Sequence, residues 1–199
     1  MNHLPAMPVL VGLVLGGVVL GLVASWGWRW WQQRRARRRL VGTIISTGFE
    51  HLEDILVPDG NGGTYHVDFL ILTPRGILVV DLRDVIGNIF GGDQMTDWTV
   101  MNGPSRHTFP NPQGSLYDRI AAVKALSGEV PVEGRIVFTR RARFPKGLPK
   151  WTLPVDALRA DFPPPDRGMF ESVLAHYRNG WAALRTATSP SPLGKPRPI

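Results

Sequence analysis

The pattern of apolar and polar positions between Tyr65 and Gly92 predicts a β-hairpin that carries acidic residues. Tyr65 to Leu72 and Ile77 to Arg83 are rich in β-branched and aromatic residues, and Thr73-Pro74-Arg75-Gly76 between them supplies Pro and Gly for a tight turn. A symmetric turn sets Ile71 opposite Leu78, Leu70 opposite Val79 and Asp68 opposite Asp81. Arg83 shares the side of the two aspartates, because side chains alternate along a strand. Carboxylates directly opposed, with Cβ atoms about 4.5–5.5 Å apart, repel each other. A divalent cation held by both would compensate them, and so would the Arg83 guanidinium lying between them.

The same pattern organises the rest of the chain. From Leu4 to Trp28 no side chain is ionisable, which predicts a membrane-spanning helix, since about 20 apolar residues cross a bilayer core. A signal peptide cleaved near Ala24-Ser25 is the alternative. Trp26, Trp28, Trp30 and Trp31 would form an interfacial belt, and the arginines after them orient the N-terminus outward with the C-terminal domain in the cytoplasm. Gly12 with Gly16, and Gly17 with Gly21, are spaced to let two such helices pack as a homodimer, although glycine is common in membrane helices generally.

Residues Leu40 to Leu56 have apolar positions at helical spacing and predict a helix, ended by the turn cluster Val57 to Gly63. Glu50 on that helix is a candidate to reach the Asp68/Asp81 pair. Short strands follow near Gly87–Gly92 and Asp97–Val100. A helix from Gln113 to Leu126 then buries Leu116, Ile120, Val123 and Leu126, with Gly128 beyond its end and Gln113 and Tyr117 on one side of its entry. Arg135–Thr139 reads as a buried strand. The loop after it carries Arg140, Arg141, Arg143, Lys146 and Lys150, which suit phosphate contact or an ordinary solvated loop. An amphipathic helix spans Gly168 to Arg185, and the Pro-rich tail from Ser189 predicts disorder.

Charge changes the picture only once it is localised. The net +7 arises largely from six arginines between Arg29 and Arg39, leaving 17 basic against 16 acidic residues from Leu40 onward. Whole-chain charge is therefore no argument for nucleic-acid binding, and the arginine run is explained by anionic lipid as readily as by phosphodiesters. The absence of cysteine excludes disulfides and thiolate metal sites.

The ordered series of acidic hairpin HVDFLILTPRGILVVDLRDVIGNIFGG, Trp98, Asn111-Pro112 helix, strand and basic loop resembles the nuclease-related domain. That family is a branch of the restriction-endonuclease-like PD-(D/E)xK superfamily and often stands beside a bacterial membrane helix. The resemblance implies an α/β fold: a single N-terminal transmembrane helix followed by a small mixed sheet flanked by helices. The corresponding segments are 1–31 (transmembrane helix), 32–40 (basic juxtamembrane), 41–150 (nuclease-related domain), 151–188 (extension with the amphipathic helix) and 189–199 (tail). It also implies residence in the bacterial inner membrane.

By the same resemblance Asp68, Asp81 and the main-chain carbonyl of Leu82 would hold Mg²⁺ or Mn²⁺ for phosphodiester hydrolysis of DNA or RNA. Gln113 is similar to the glutamine of RecB-like nucleases. Arg83 stands where the family has lysine, and a guanidinium stays protonated, so it can stabilise charge but not accept a proton from water. Three functions follow: a membrane-anchored metal-dependent nuclease, a catalytically inactive nucleic-acid-binding module using Arg140, Arg141, Arg143 and Lys146, and a protein-interaction module.

Overall fold

The computed structural model describes residues 25–28, 30–32 and 34–192. Residues 34–45 form helix α1. Strands β1 (Glu50–Pro58), β2 (Thr64–Thr73), β3 (Gly76–Arg83), β4 (Gly87–Phe90), β5 (Asp97–Asn102) and β6 (Ser105–Pro110) follow. Helix α2 (Pro112–Ser127) leads to β7 (Val132–Phe138), β8 (Ala142–Arg143), β9 (Thr152–Pro154), α3 (Leu158–Asp161), α4 (Phe170–Ala187) and β10 (Ser189–Pro190). The strands make two sheets. One has six strands in the order β10-β1-β2-β3-β7-β9, and the other has four in the order β6-β5-β4-β8.

The β2–β3 hairpin is the centre of the larger sheet. Pro74 and Arg75 form its two-residue loop, Thr73 pairs with Gly76, and the register runs through Ile71–Leu78 and Leu70–Val79 as the turn chemistry predicts. Gly76 is required there: its φ is 120°, and a Cβ would collide with the carbonyl of Pro131. Leu78, Val79 and Val80 are fully buried, as expected for a strand covered on both faces. β3 then pairs in parallel with β7, and the crossover between them contains β4, β5, β6 and α2.

Helix α2 begins at Asn111, whose side chain accepts the Gln113 N–H, and stops at Gly128 with φ 64°. Its Leu116 and Ile120 press so closely on β7 that a Cβ at Gly134 would overlap both side chains. α4 packs against α2 and β1. The core joins the two sheets through Trp98, fully buried among Phe109, Phe138 and Phe144. Gly91 lies flat on the Trp98 indole, and any Cβ there would overlap the ring.

Three expectations are corrected. The helix over Leu40 to Leu56 ends at residue 45, and Glu50–Pro58 is strand β1, paired with β2 on both sides of Asp54. The physical reason is Asp54, which takes φ 55° and interrupts the alternation of β1. Leu52 on one side of it and Ile55 on the other therefore both pack on the core, which mimics the three-residue spacing of a helix. The single sheet is replaced by two: β4, β5 and β6 pair with one another and with β8, and Gly87, with φ 124° and its Cβ position against the Met101 carbonyl, permits this pairing where β4 begins.

The third correction concerns the membrane. Among the described residues no helix is long and apolar enough to cross a bilayer, so the single-pass topology and inner-membrane localisation have no support from the structure. Most of the Leu4 to Trp28 stretch, including its glycine pairs, lies outside the described residues. At the other end, Ser189 and Pro190 pair with β1 in place of a disordered tail, and residues 193–199 lie outside the described set.

Candidate functional site

The β2–β3 ladder stops at Phe69–Val80, one step before the two aspartates. Asp68 closes the gap with its side chain: Oδ2 accepts the Leu82 N–H at 2.8 Å. Asp81, 3% exposed, is met by two guanidinium groups. Arg83 Nη2 donates to its Oδ2 at 2.9 Å, and Arg119 Nη1 lies 3.5 Å from the same oxygen. Arg119 also donates from Nε to the His66 carbonyl at 2.5 Å, so one α2 side chain bridges β2 and β3. Arg83 Nε is buried without a hydrogen-bond partner.

The cluster extends across the sheet to β1. The β1–β2 register is the same on either side of Asp54, from Glu53–Phe69 to Ile55–Val67, so Asp54 sits at the position opposite Asp68 without pairing to it. Its Oδ1 meets His66 Nε2 at 2.7 Å, while His66 Nδ1 lies 3.9 Å from Asp68 Oδ1. Asp54, Asp68 and Asp81 thus stand at one level on three adjacent strands, with His66 beside the first two and Arg83 and Arg119 beside the third. Burial foremost, then the charge of Asp81, push the Asp68 carboxyl up from 3.8 to about 6, against the opposing pull of the Leu82 N–H, His66 and Arg83.

These residues do not fit a resident divalent cation. A magnesium or manganese site needs several open oxygen ligands, usually more than one carboxylate. Here one oxygen of Asp81 is shared by two guanidiniums, one oxygen of Asp68 is taken by the Leu82 N–H, and two fixed positive charges stand beside the pair. Among the described residues no three His, Cys, Asp or Glu side chains gather as a metal site.

Of the residues singled out in the sequence, Asp68, Asp81, Leu82 and Arg83 come together. Glu50 does not join them. It lies at the hairpin end of β1 opposite Leu72, accepts the Trp181 indole N–H at 2.7 Å and lies 3.6 Å from Arg185. Gln113 is buried at the start of α2, where its Nε2 donates to Asp93 at 2.8 Å and to the Lys150 carbonyl at 2.9 Å. The Gln113 and Lys150 donors hold the Asp93 carboxyl below its ordinary range. In the basic loop, Arg140 is paired with Asp156 and Arg141 with Asp84, whereas Arg143 is exposed on β8 and Lys146 lies over the Phe90 ring at 5.9 Å.

Three members of the cluster escaped the sequence reading. His66 was accessible, being two residues before Asp68 on the same strand. Arg119 lies next to the buried stripe of α2, between Leu116 and Ile120, a place from which a long cationic side chain reaches inward. Asp54 lies four residues after Glu50 on the helix expected over Leu40 to Leu56, and its place in the cluster follows only once β1 is recognised as a strand.

An uncharacterized protein of Bacillus anthracis is 24% identical to this chain over 89 residues, covering 45% of the chain and 42% of that protein. The chain therefore spans less than half the length of that curated relative. No solved structure matches it significantly. The nuclease-related domain matches residues 30–139, which contain Asp54, His66, Asp68, Asp81, Arg83 and Arg119 together and make up more than half of the sequence, so the chain belongs to the nuclease-related domain family.

Proposed function

We propose that this chain is a nucleic-acid-binding member of its family, built on the PD-(D/E)xK arrangement, in which arginines have replaced the metal ion as partners of the carboxylates. The observation that carries this is the sharing of Asp81 Oδ2 by Arg83 and Arg119. Metal-assisted hydrolysis depends on carboxylates that hold a cation and so lower the pKa of an attacking water. Two guanidiniums supply the compensating charge here but no ionised water. Neither can accept a proton at working pH. The guanidinium edges not spent on Asp81 match the oxygens of a phosphate, and both side chains keep some exposure, 22% for Arg83 and 18% for Arg119.

The test is fluorescence anisotropy of labelled DNA and RNA oligonucleotides with the full chain, beside a cleavage assay. Binding is expected to survive EDTA and to fall steeply with salt, with no cleavage in Mg²⁺ or Mn²⁺. Metal-dependent cleavage abolished by Asp81→Ala would overturn the proposal.

A further inference from the structure

The outer face of the four-stranded sheet carries arginines that make no ion pair among the described residues. Its register sets Arg143 on β8 beside Asn88 on β4, Asn88 beside Met101 on β5, and Met101 beside Arg106 on β6. Cross-strand neighbours point to one face, so these four side chains form a single row across the sheet. All four are exposed, while the alternate residues Ile89, Val100 and Phe109 are buried against the core. Two residues along the strands, Phe90, Thr99 and Thr108 make the next row, and Lys146 lies 5.9 Å from the Phe90 ring.

Charge decides what such a face can receive. Among the described residues, neither Arg106 nor Arg143 makes an ion pair, in contrast to Arg140 and Arg141, whose guanidiniums are committed to Asp156 and Asp84. Asp97, at the opposite end beside Pro110, is the one carboxylate among the strand residues of this face. Cations at both ends of a row, with an aromatic ring, a thioether and amide or hydroxyl groups between them, match a strand that offers phosphates and unstacked bases together. A duplex, with its bases stacked inside, would leave Phe90 and Met101 without a counterpart.

We infer that the outer face of β4, β5, β6 and β8 binds single-stranded nucleic acid, with Arg106, Arg143 and Lys146 on phosphates and Phe90 and Met101 against bases. This assignment rests on the nucleic-acid reading of the family site and locates the surface that carries it. β4 begins four residues after Arg83 in the sequence.

The experiment uses the full chain with a labelled single-stranded 20-mer of DNA or RNA, a duplex of equal length, and polyglutamate as a non-nucleic polyanion. The variants are Arg106→Glu/Arg143→Glu and Phe90→Ala, with Arg178→Glu on the exposed side of α4 as the control, all matched for circular dichroism. The double variant is expected to weaken single-strand binding at least tenfold and to reduce the salt slope by about 1.4, the loss of two phosphate contacts. Phe90→Ala is expected to weaken it about tenfold with the slope unchanged. The control is expected to change affinity less than twofold.

Binding by the native chain that the double variant retains in full would overturn this surface and leave the family-site reading standing. Tighter binding of the duplex would overturn the single-strand assignment. Failure of every version to bind any oligonucleotide would overturn the surface and the underlying reading together, and polyglutamate binding lost in the double variant would then assign the face to an acidic protein.

Discussion

Asp68 and Leu82 are joined by a 2.8 Å hydrogen bond in which a carboxylate oxygen takes the place of a strand carbonyl. The bond holds β2 and β3 together where their backbone pairing has ended, and it leaves the rest of the Asp68 carboxyl facing Asp81 and His66. It is a structural contact and a constraint on charge at once.

The raised pKa of Asp68 fixes how stability depends on pH. The unfolded chain titrates this group near 3.8 and the folded chain near 6, so between those values the folded state binds more protons. Its contribution is therefore present in acid and is lost as pH rises through about 6. Asp68→Asn, which keeps an acceptor for the Leu82 N–H, is expected to match the native chain at pH 4 and to exceed it by about 2 kcal/mol at pH 8. Urea midpoints at the two pH values check this. An equal difference at both would show that the group does not titrate in this window.

Asp81 neutralises two guanidiniums that are themselves mostly buried, with Arg83 22% and Arg119 18% exposed in their side chains. Asp81→Ala strands both charges and is expected to cost about 3 kcal/mol, the lower end of the range for a broken buried pair. The double variant Asp81→Leu/Arg119→Met is expected to recover at least half of that loss. Chemical denaturation of the three proteins measures it.

Glu50 supports the core and does not serve the carboxylate cluster. Glu50→Ala removes the acceptor of the buried Trp181 indole and is expected to destabilise the fold by about 2 kcal/mol, with Glu50→Gln recovering most of it. Oligonucleotide affinity, measured under conditions where both variants are folded, is expected to stay within twofold of native.

Asp54 combines an unusual backbone with a partner. Its φ of 55° suits Asn nearly as well as Asp but strains Ala, and its carboxylate holds His66. Asp54→Ala is expected to be about 1 kcal/mol less stable than Asp54→Asn, which keeps both the residue type suited to this backbone and a hydrogen-bonding group for His66. Thermal melting of the two variants at one pH measures the difference.

The parts of the fold legible in the sequence were those with local causes. Pro74 and Gly76 fixed the turn, β-branched runs fixed the strands beside it, and alternation placed Asp81 and Arg83 on one side. Asn111 and Gly128 bounded α2 closely. The parts that escaped depended on distant partners. β1 read as a helix because Asp54 shifts its alternation by one residue. β6, an edge strand with Ser105, Arg106, His107 and Thr108 all exposed, carries no apolar pattern to find. In the candidate site, Arg119 reaches Asp81 from a helix 38 residues away in sequence, which spacing alone could not reveal.

The bare surface of Gly91 against Trp98 limits how this domain can diversify. The indole is fully buried and surrounded on its other sides by phenylalanines, so it has nowhere to retreat from a methyl group at 91. A lineage that acquires alanine at 91 must shrink residue 98 as well, and each change made alone passes through a poorly folded intermediate. The two positions are therefore locked as a couple: across homologous chains they should change together or not at all.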